Sequence, residues 1–339
     1  MRLQGRVKVG VKTKSLVNFL KPGDIAVIRH DDIDELAALA LVQTGTKAVL
    51  NTGRSMTGRF PAVGARLLLQ NNIGLADVNV PLEYFKDNDM VTVVNRDIIV
   101  RNYIFNDACT PVNWDYINSR QHKAQENENS EILKFIDNTI NRAACEMDKL
   151  ISFNAYPELM TKLYRRHVLV VVRNRDTIEE IHSLRGYIEK YDPIFMGVDG
   201  GADSIINCGY TPDIVIGDMD SVSDIGIYKS REVILHAYED GRCPCLGRIA
   251  SMGIPYKLVA MGGTSEDAAL MLAYHKEADL IVLVGGHSCM YDFMSKGRPG
   301  MASTFIVRTL IGSKLVDCKG IGIISSCENE GKGEMWAKM

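Results

Sequence analysis

The second half of the chain places its hydrophobic residues in short continuous runs, separated by polar and glycine-rich segments. Helical stretches, including 177–190 and 265–275, lie between several of these runs. Continuous apolar strands belong in a sheet that is buried on both faces. Right-handed crossovers then predict a doubly wound parallel sheet. The predicted strands are 167–173, 194–199, 213–218, 232–237, 256–261 and 280–286.

The first part of the chain alternates β-like runs with Gly, Pro and Asp residues, which predicts a separate α/β domain. Asp31 to Asp34 open a helix after the first of these runs, because acidic residues favour helix N-termini, and Gly45 ends it. A second helix and a β-hairpin are predicted further along. The predicted elements are strands 25–30 and 47–51, helices 35–45 and 64–72, and the hairpin 87–102.

Residues 113–165 are rich in Asn, Gln, Glu and Lys, and their apolar positions recur at helical spacing. They predict a long connecting helix, and two interpretations stay open: a contact between domains or copies, or a helix lying on its own domain. The apolar positions are Ile132, Leu133, Phe135, Ile136, Ile140, Ala143, Ala144, Met147 and Leu150. The predicted domain limits are 1–112, 113–165 for the linker, 166–320, and 321–339 for a polar tail.

Composition narrows the functional classes. A chain of 339 residues suits two domains, and a net charge of −3 gives no overall basic surface for nucleic acid. Its eight cysteines form no CxxC pair, a reduced cytosolic pattern, and we interpret the close pair Cys243-Pro244-Cys245 as incidental. No run approaches the roughly 18 apolar residues of a membrane helix, so we expect a cytoplasmic protein.

The stretch 197–221 carries the clearest chemistry. Asp199, Asp213, Asp218 and Asp220 lie among glycines, directly after or between apolar runs. Carboxylates hold Mg²⁺, and small residues let backbone approach phosphates. Two ordinary surface turns are the alternative. We favour a site, because two successive strand ends place these residues at the ligand-binding edge of a parallel sheet.

Within this stretch we expect Asp199, Asp218 and Asp220 to be the metal ligands. Asp218 and Asp220 alternate by two, so on an extended segment their side chains point to the same side. Ser221 adds a hydroxyl ligand, and Gly200 and Gly201 let a helix N-terminus meet a phosphate.

Two further turns follow strand ends. Gly263 precedes Thr264 and Ser265, either of which caps the next helix, with Asp267 in its first turn. Gly286 and His287 end the last strong strand, where His287 is either a ligand-contacting residue or a polar residue at a loop edge. Arg298 follows as a candidate bidentate contact for phosphate.

DGGA, a Pro-Asp pair and GDMDS resemble the nucleotide-binding half of thiamine pyrophosphokinases. That resemblance implies that Asp267 joins Asp199, Asp218 and Asp220 in a catalytic metal and nucleotide site. Motifs along nearly the whole chain resemble the SteA-like family, described as bacterial cytokinetic ring proteins. The motifs are PGDIAVIRHDDIDELAA, SMTGRFPAVGARLLL, RHVLVVVR, GDMDSVSD, GGTSEDAA, KGRPGMASTF and GSKLVD.

The N-terminal domain also resembles the swivelling phosphohistidine domain of phosphoenolpyruvate-using enzymes. Its turn at 55–60 has no His, which argues against a phosphocarrier, although Arg59 could bind an anion. The β-rich domain that completes the thiamine pocket in pyrophosphokinases has no counterpart after about residue 317, which argues against thiamine as a substrate.

Two functions from different classes follow. The first is a binding protein for Mg²⁺ with ATP or another nucleotide, or for a phosphorylated small molecule. By resemblance it acts in cell division or the cell envelope with a division or membrane protein partner. The alternative is an active diphosphokinase that transfers diphosphate from ATP to thiamine or another alcohol. We also expect a homodimer and no nucleic acid partner; a membrane segment beyond this chain, or a partner, could place the protein at the division site.

Overall fold

A computed structural model describes residues 2–11 and 13–324, and it divides into two compact units. The first contains residues up to Ile136 and the segment Cys289–Pro299; the second contains Asp137–Ser288 and the chain from Gly300. The predicted linker region therefore contributes residues to both units. Residues 325–339 of the predicted tail lie outside the described residues.

The first unit is built on an eight-stranded mixed sheet with the order β7-β6-β5-β1-β2-β3-β4-β8. Strands β1 to β4 pair in parallel, and β5 to β8 add antiparallel edges. Its elements are β1 Arg2–Gly10, α1 Thr13–Leu16, β2 Ile25–Ile28, α2 Glu35–Gln43, β3 Ala48–Asn51, α3 Gly64–Gln70, β4 Gly74–Val78, β5 Met90–Val94, β6 Asp97–Val100, β7 Tyr103–Phe105 and β8 Cys109–Pro111, with 3-10 turns at Val17–Phe19 and Leu82–Tyr84.

The predicted elements of this unit form where expected. Asp34 caps α2, its carboxylate accepting a hydrogen bond from the Ala37 N–H at 2.9 Å, and Gly45 follows the helix with a positive φ of 68°. The 87–102 segment folds as the hairpin of β5 and β6. β1 was not predicted, although Leu3, Val7 and Val9 recur at the two-residue spacing of a strand; Gly5 takes the apolar position between Leu3 and Val7 and weakens the pattern.

The long predicted helix is α4, Trp114–Ser152. It ends well before 165, since Phe153 and Tyr156 pack against the core of the second unit and Pro157 lacks the N–H that a helix needs. Of its apolar positions, Phe135, Ala143 and Leu150 are buried, whereas Leu133, Ile136, Ile140 and Met147 are exposed.

The predicted homodimer stays a prediction. No helix among the described residues has the length and apolarity needed to cross a membrane.

The second unit contains the doubly wound parallel sheet that the apolar runs predict, with the order β13-β12-β11-β10-β9-β14-β15. The direction of winding reverses between β9 and β14. Its elements are β9 His167–Val172, α5 Thr177–Ser183, α6 Arg185–Tyr191, β10 Ile194–Val198, α7 Gly201–Asn207, β11 Ile214–Gly217, α8 Asp224–Lys229, β12 Glu232–Ala237, α9 Leu246–Ser251, β13 Lys257–Ala260, α10 Ser265–His275, β14 Leu280–Val284, α12 Ala302–Ile311 and β15 Leu315–Asp317; α11, Met290–Met294, belongs to the first unit.

Both faces of this sheet are covered. One face packs against α10, α12 and the end of α4, and the other against α5 to α9. The fold class is thus as predicted: an N-terminal α/β domain, a long helix and a doubly wound parallel sheet. The predicted helix 177–190 is two helices, which meet at Leu184, whose backbone leaves the helical region.

Candidate functional site

The carboxyl ends of β10 and β11 place two predicted regions side by side, and the end of β9 adds Arg173, which was not predicted. Strand register pairs Val198 with Val172 and with Ile216. One residue further, Asp199 therefore lies between Arg173 and Gly217. Ligands of open α/β sheets bind outside this edge, next to the point where the strand order reverses. We call Arg173, Asp199, Asp218, Asp220 and Ser221 the aspartate edge.

Asp199 is held in an unusual conformation. Its φ is 48°, in the left-handed region that non-glycine residues seldom adopt. Its Oδ1 accepts a hydrogen bond from the Met219 N–H at 2.9 Å. A Cβ atom on Gly217 would lie 2.0 Å from that oxygen, so the Asp199 side chain occupies space that only a glycine leaves open.

The loop after β11 turns at once, which corrects the expectation of an extended segment. Met219 has a φ of 56° and is fully buried, while Asp218 and Asp220 are exposed. The Asp220 N–H donates to Asp218 Oδ1 at 3.0 Å, so the two residues form a local turn. The Asp218 and Asp220 side chains therefore belong to a turn and do not project from one side of an extended strand.

Glycines allow the neighbouring elements to approach. The Gly200 N–H donates to Ser221 Oγ at 3.2 Å, which joins the turn after β10 to the loop after β11. A Cβ on Gly200 would lie 2.8 Å from the Arg173 guanidinium carbon, and one on Gly201 would lie 1.9 Å from the Val171 carbonyl oxygen. Gly201 thus permits close helix–strand packing, and Arg173 brings a cation to the aspartate edge.

Arg248 on α9 fixes the loop from the other side. Its guanidinium donates to the carbonyl oxygens of Met219 and Val222 and to the Asp224 carboxylate. Arg248 was not predicted, since it lies far along the chain from this loop. Asp213, by contrast, lies at the opposite edge of the sheet, where it accepts from the Phe195 N–H and pairs with Arg231. It is structural.

The turn before α10 forms the capping box that its sequence indicates. Thr264 Oγ1 accepts from the Asp267 N–H at 3.0 Å, and Asp267 Oδ2 accepts from the Thr264 N–H at 2.9 Å. Ser303 and Thr304 donate to the same Oδ2. Asp267 has no exposed surface, and its Oδ1 has no hydrogen-bond partner among the described residues. Burial, then the neighbouring Glu266 charge, raises the Asp267 pKa.

Gly263 and Ser265 lie beside this box. Gly263 has a φ of 99°, and a Cβ there would meet the Ser303 side chain at 3.0 Å. The Ser265 hydroxyl lies 3.3 Å from His236 Nδ1. A cavity of about 430 Å³ adjoins the turn, and Lys149, Phe153, Glu239, Met261 and Gly263 are among its lining residues.

Glu266 joins this turn to the end of β14. Its Oε2 accepts from both the backbone N–H and Nδ1 of His287, at 3.1 and 2.9 Å. Its Oε1 accepts from Arg308, which also pairs with Asp317. Gly286 lies against Arg308, since a Cβ there would be 3.1 Å from its guanidinium. His287 is therefore oriented by a buried carboxylate, a role that sequence reasoning did not assign to Glu266 or Arg308.

Arg298 lies on an exposed loop in the segment that belongs to the first unit. Its predicted contact with phosphate stays a prediction. The other predicted residues fall into two groups within the second unit: the aspartate edge with Gly200 and Gly201, and the capping-box turn with Gly286 and His287.

No group of three or more Asp, Glu, His or Cys side chains is arranged as a metal centre within the described part of the chain. The aspartate edge suits the way Mg²⁺ usually binds, through one or two carboxylates plus substrate phosphates and water rather than a protein cage. Its donors are hard oxygens, the type that Mg²⁺ selects.

Neither a protein-family model nor a curated protein matches the chain. Two of the solved structures that match the chain are a dehydratase and a pyrophosphokinase, both of low similarity. A 3-isopropylmalate dehydratase (leuD) from Methanocaldococcus jannaschii is 14% identical over 38% of this chain and 99% of its own, with a TM-score of 0.23. A thiamine pyrophosphokinase from Bacillus subtilis is 17% identical over 45% of this chain and 59% of its own, with a TM-score of 0.29. Likeness at these values carries no argument about function.

Proposed function

We propose that the second unit binds a nucleotide or another phosphorylated small molecule together with Mg²⁺ at the aspartate edge. The observation that carries this proposal is the pair of strained residues, Asp199 and Met219, linked by a hydrogen bond at the carboxyl ends of β10 and β11. Backbone strain of this kind costs about 1–3 kcal/mol per residue and clusters at functional sites.

The charges at this edge favour a metal-bound anion. Asp199, Asp218 and Asp220 would repel a free polyphosphate, so a bound anion requires a cation between them. Asp218 and Asp220 are exposed and present their carboxylates to solvent. Arg173 supplies a second cation for phosphate oxygens. Bound Mg²⁺ would neutralise phosphate charge, while Asp199 fixes the loop through Met219.

The proposal is tested by isothermal titration of ATP with Mg²⁺ and with EDTA. We expect Asp218→Asn to weaken binding about tenfold or more in Mg²⁺ and to change it little in EDTA. Asp192→Asn is the matched control, because Asp192 is an exposed carboxylate at the amino end of β10. An equal loss for Asp218→Asn in both conditions would contradict the role of Asp218 in holding the metal.

An active diphosphokinase is the second candidate, and it would use the residues of the aspartate edge together with Glu266 and His287. Glu266 and His287 favour it, because a carboxylate-oriented imidazole near the switch point is suited to moving a proton from an attacking hydroxyl. AMP release from Mg²⁺–ATP, with and without thiamine, distinguishes it from binding alone. The division or cell-envelope role, with its protein partner, stays a prediction from the family resemblance.

A further inference from the structure

Cys243 and Cys245 form a close thiol pair beside the aspartate edge. Their Sγ atoms lie 3.2 Å apart, about 1 Å further than the sulfurs of a disulfide. Cys243 is half-buried and Cys245 is buried. The sequence interpretation of Cys-Pro-Cys as incidental gave no reason to expect the two side chains to face each other.

The pair shares its surroundings with the loop that carries Asp218 and Asp220. Cys245 belongs to the same buried cluster as Met219 and Val222, and Cys243 packs against that cluster. Asp218 is near enough for its charge to act on the Cys245 thiol. A change in thiol geometry therefore acts directly on the packing under residues 218–224, which we call the aspartate loop.

The pair also sits at the start of α9. Cys245 is the residue before the helix, and the Leu246 N–H donates to the Cys243 carbonyl oxygen at 3.1 Å. One turn later, Arg248 holds the Met219 and Val222 carbonyl oxygens. The helix that follows Cys245 thus fixes the aspartate loop.

We propose that Cys243 and Cys245 are a redox-active dithiol whose substrates are exchangeable disulfides, and that its oxidation releases the aspartate loop from Arg248. A disulfide across a single intervening residue closes a small ring. Its formation brings the two sulfurs about 1 Å closer, and it acts at the start of α9 because Cys245 is the residue before that helix. Strained disulfides of this kind are readily reduced, so the reaction is reversible.

The reaction balances as two thiol–disulfide exchanges. The more accessible Cys243, as thiolate, attacks one sulfur of an external disulfide and releases the first thiol. Cys245 then loses its proton, attacks the Cys243 sulfur and releases the second thiol. The two protein thiols are oxidised by two electrons, and the external disulfide is reduced to two thiols that carry both protons.

Cys245 fits the second of these steps. Burial, then the hydrogen bond and charge of Cys243, raises the pKa of the Cys245 thiol to about 12. Burial, the largest of these causes, remains once Cys243 is in a mixed disulfide and only the contributions from Cys243 disappear, so ionisation of Cys245 is the slow part of the second step. The order of attack thus follows from the different exposure of the two thiols.

The full chain, equilibrated in glutathione buffers of increasing oxidised fraction and then digested with trypsin, tests the chemistry. Cleavage after Arg242 and Arg248 isolates a peptide that contains only these two cysteines. We expect this peptide to lose the mass of two hydrogens and to regain it in reduced glutathione. A peptide that stays reduced, or carries glutathione without an internal disulfide, would overturn the proposal. Cys243→Ser and Cys243→Ala, with circular dichroism confirming their fold, should form no internal disulfide.

Hydrogen exchange of residues 218–224 tests the coupling without any nucleotide, so its result is independent of the proposed function. We expect these amides to exchange about tenfold faster in the oxidised than in the reduced chain, with no difference between conditions in Cys243→Ser. Unchanged exchange in a chain shown to be oxidised would overturn the link between the dithiol and the aspartate loop.

Discussion

The carboxylate of Asp199 occupies the space that a side chain at Gly217 would need. A Cβ on Gly217 would lie 2.0 Å from Asp199 Oδ1, the oxygen that accepts the Met219 N–H. Gly217 also has a φ of 152°, which glycine adopts more readily than other residues. A side chain at this position would therefore strain the backbone and also overlap Asp199. The geometry of the aspartate edge therefore depends on a residue with no functional group.

Gly217→Ala should displace Asp199 and break its hydrogen bond to Met219. We expect Mg²⁺–ATP affinity to fall about tenfold or more, with a loss of about 1–3 kcal/mol in the free energy of unfolding. Titration calorimetry and urea unfolding measure the two effects. Gly209→Ala is the control, because Gly209 has a φ of 85° but no atom near its missing Cβ. If both variants lose equal affinity, backbone strain alone explains the result.

Arg173→Ala should weaken nucleotide binding by removing the cation beside Gly200. Hydrogen bonds to charged groups contribute about 1.5–3 kcal/mol, so we expect affinity to fall about tenfold or more in calorimetry. Arg185→Ala removes the same charge from an exposed helical pair with Glu189 and should leave affinity unchanged. Arg173→Ala binding at wild-type affinity would exclude Arg173 from the phosphate site.

Much of the second unit could be predicted from its sequence. Residues 232–237 and 265–275 have the same limits in the prediction and in the structure, because a mostly buried strand and a capped helix leave strong local signals. Arg173 also left a signal, since it is a charged residue directly after an apolar run at the predicted ligand edge.

Other parts of the site depend on contacts between distant residues. Glu266 and Arg308 are 42 positions apart, and Arg248 lies 29 positions from Met219. No local pattern encodes such pairs. The turn at Asp218 and Asp220 was missed for another reason: alternation by two describes a strand, but β11 ends at Gly217 and Met219 adopts a left-handed conformation.

Asp267→Asn should change how stability depends on pH. Burial and the Glu266 charge raise the Asp267 pKa, so the folded chain binds this proton more tightly than the unfolded chain. The wild type therefore loses stability as pH rises above 3.8, the ordinary value for Asp, until the raised pKa is passed. Asn removes this dependence.

Urea unfolding of both proteins, measured at intervals from pH 4 to pH 8, checks the expectation. The free energy of unfolding of the Asn variant, relative to wild type, should increase as pH rises above 3.8 and become constant once the raised Asp267 pKa is passed. A constant difference would show that Asp267 has the same pKa in both states. Ser303→Ala is the control, since it removes one donor to Oδ2 and keeps the carboxyl group.

Glu232→Gln should destabilise the second unit at neutral pH. Burial alone would raise the Glu232 pKa, but hydrogen bonds from Lys257, Met160 and Thr161 lower it to about 2. The shift from 4.5 corresponds to about 3 kcal/mol of stability above pH 4.5, which disappears as pH falls towards 2. We therefore expect Glu232→Gln to lose about 3 kcal/mol at pH 7 and little near pH 2, measured by urea unfolding. Glu239→Gln, which removes an exposed pair with Lys149, should lose less than about 1 kcal/mol. An equal loss for Glu232→Gln at both pH values would show that the ionised carboxylate is not what stabilises the fold, and would assign the effect to packing instead.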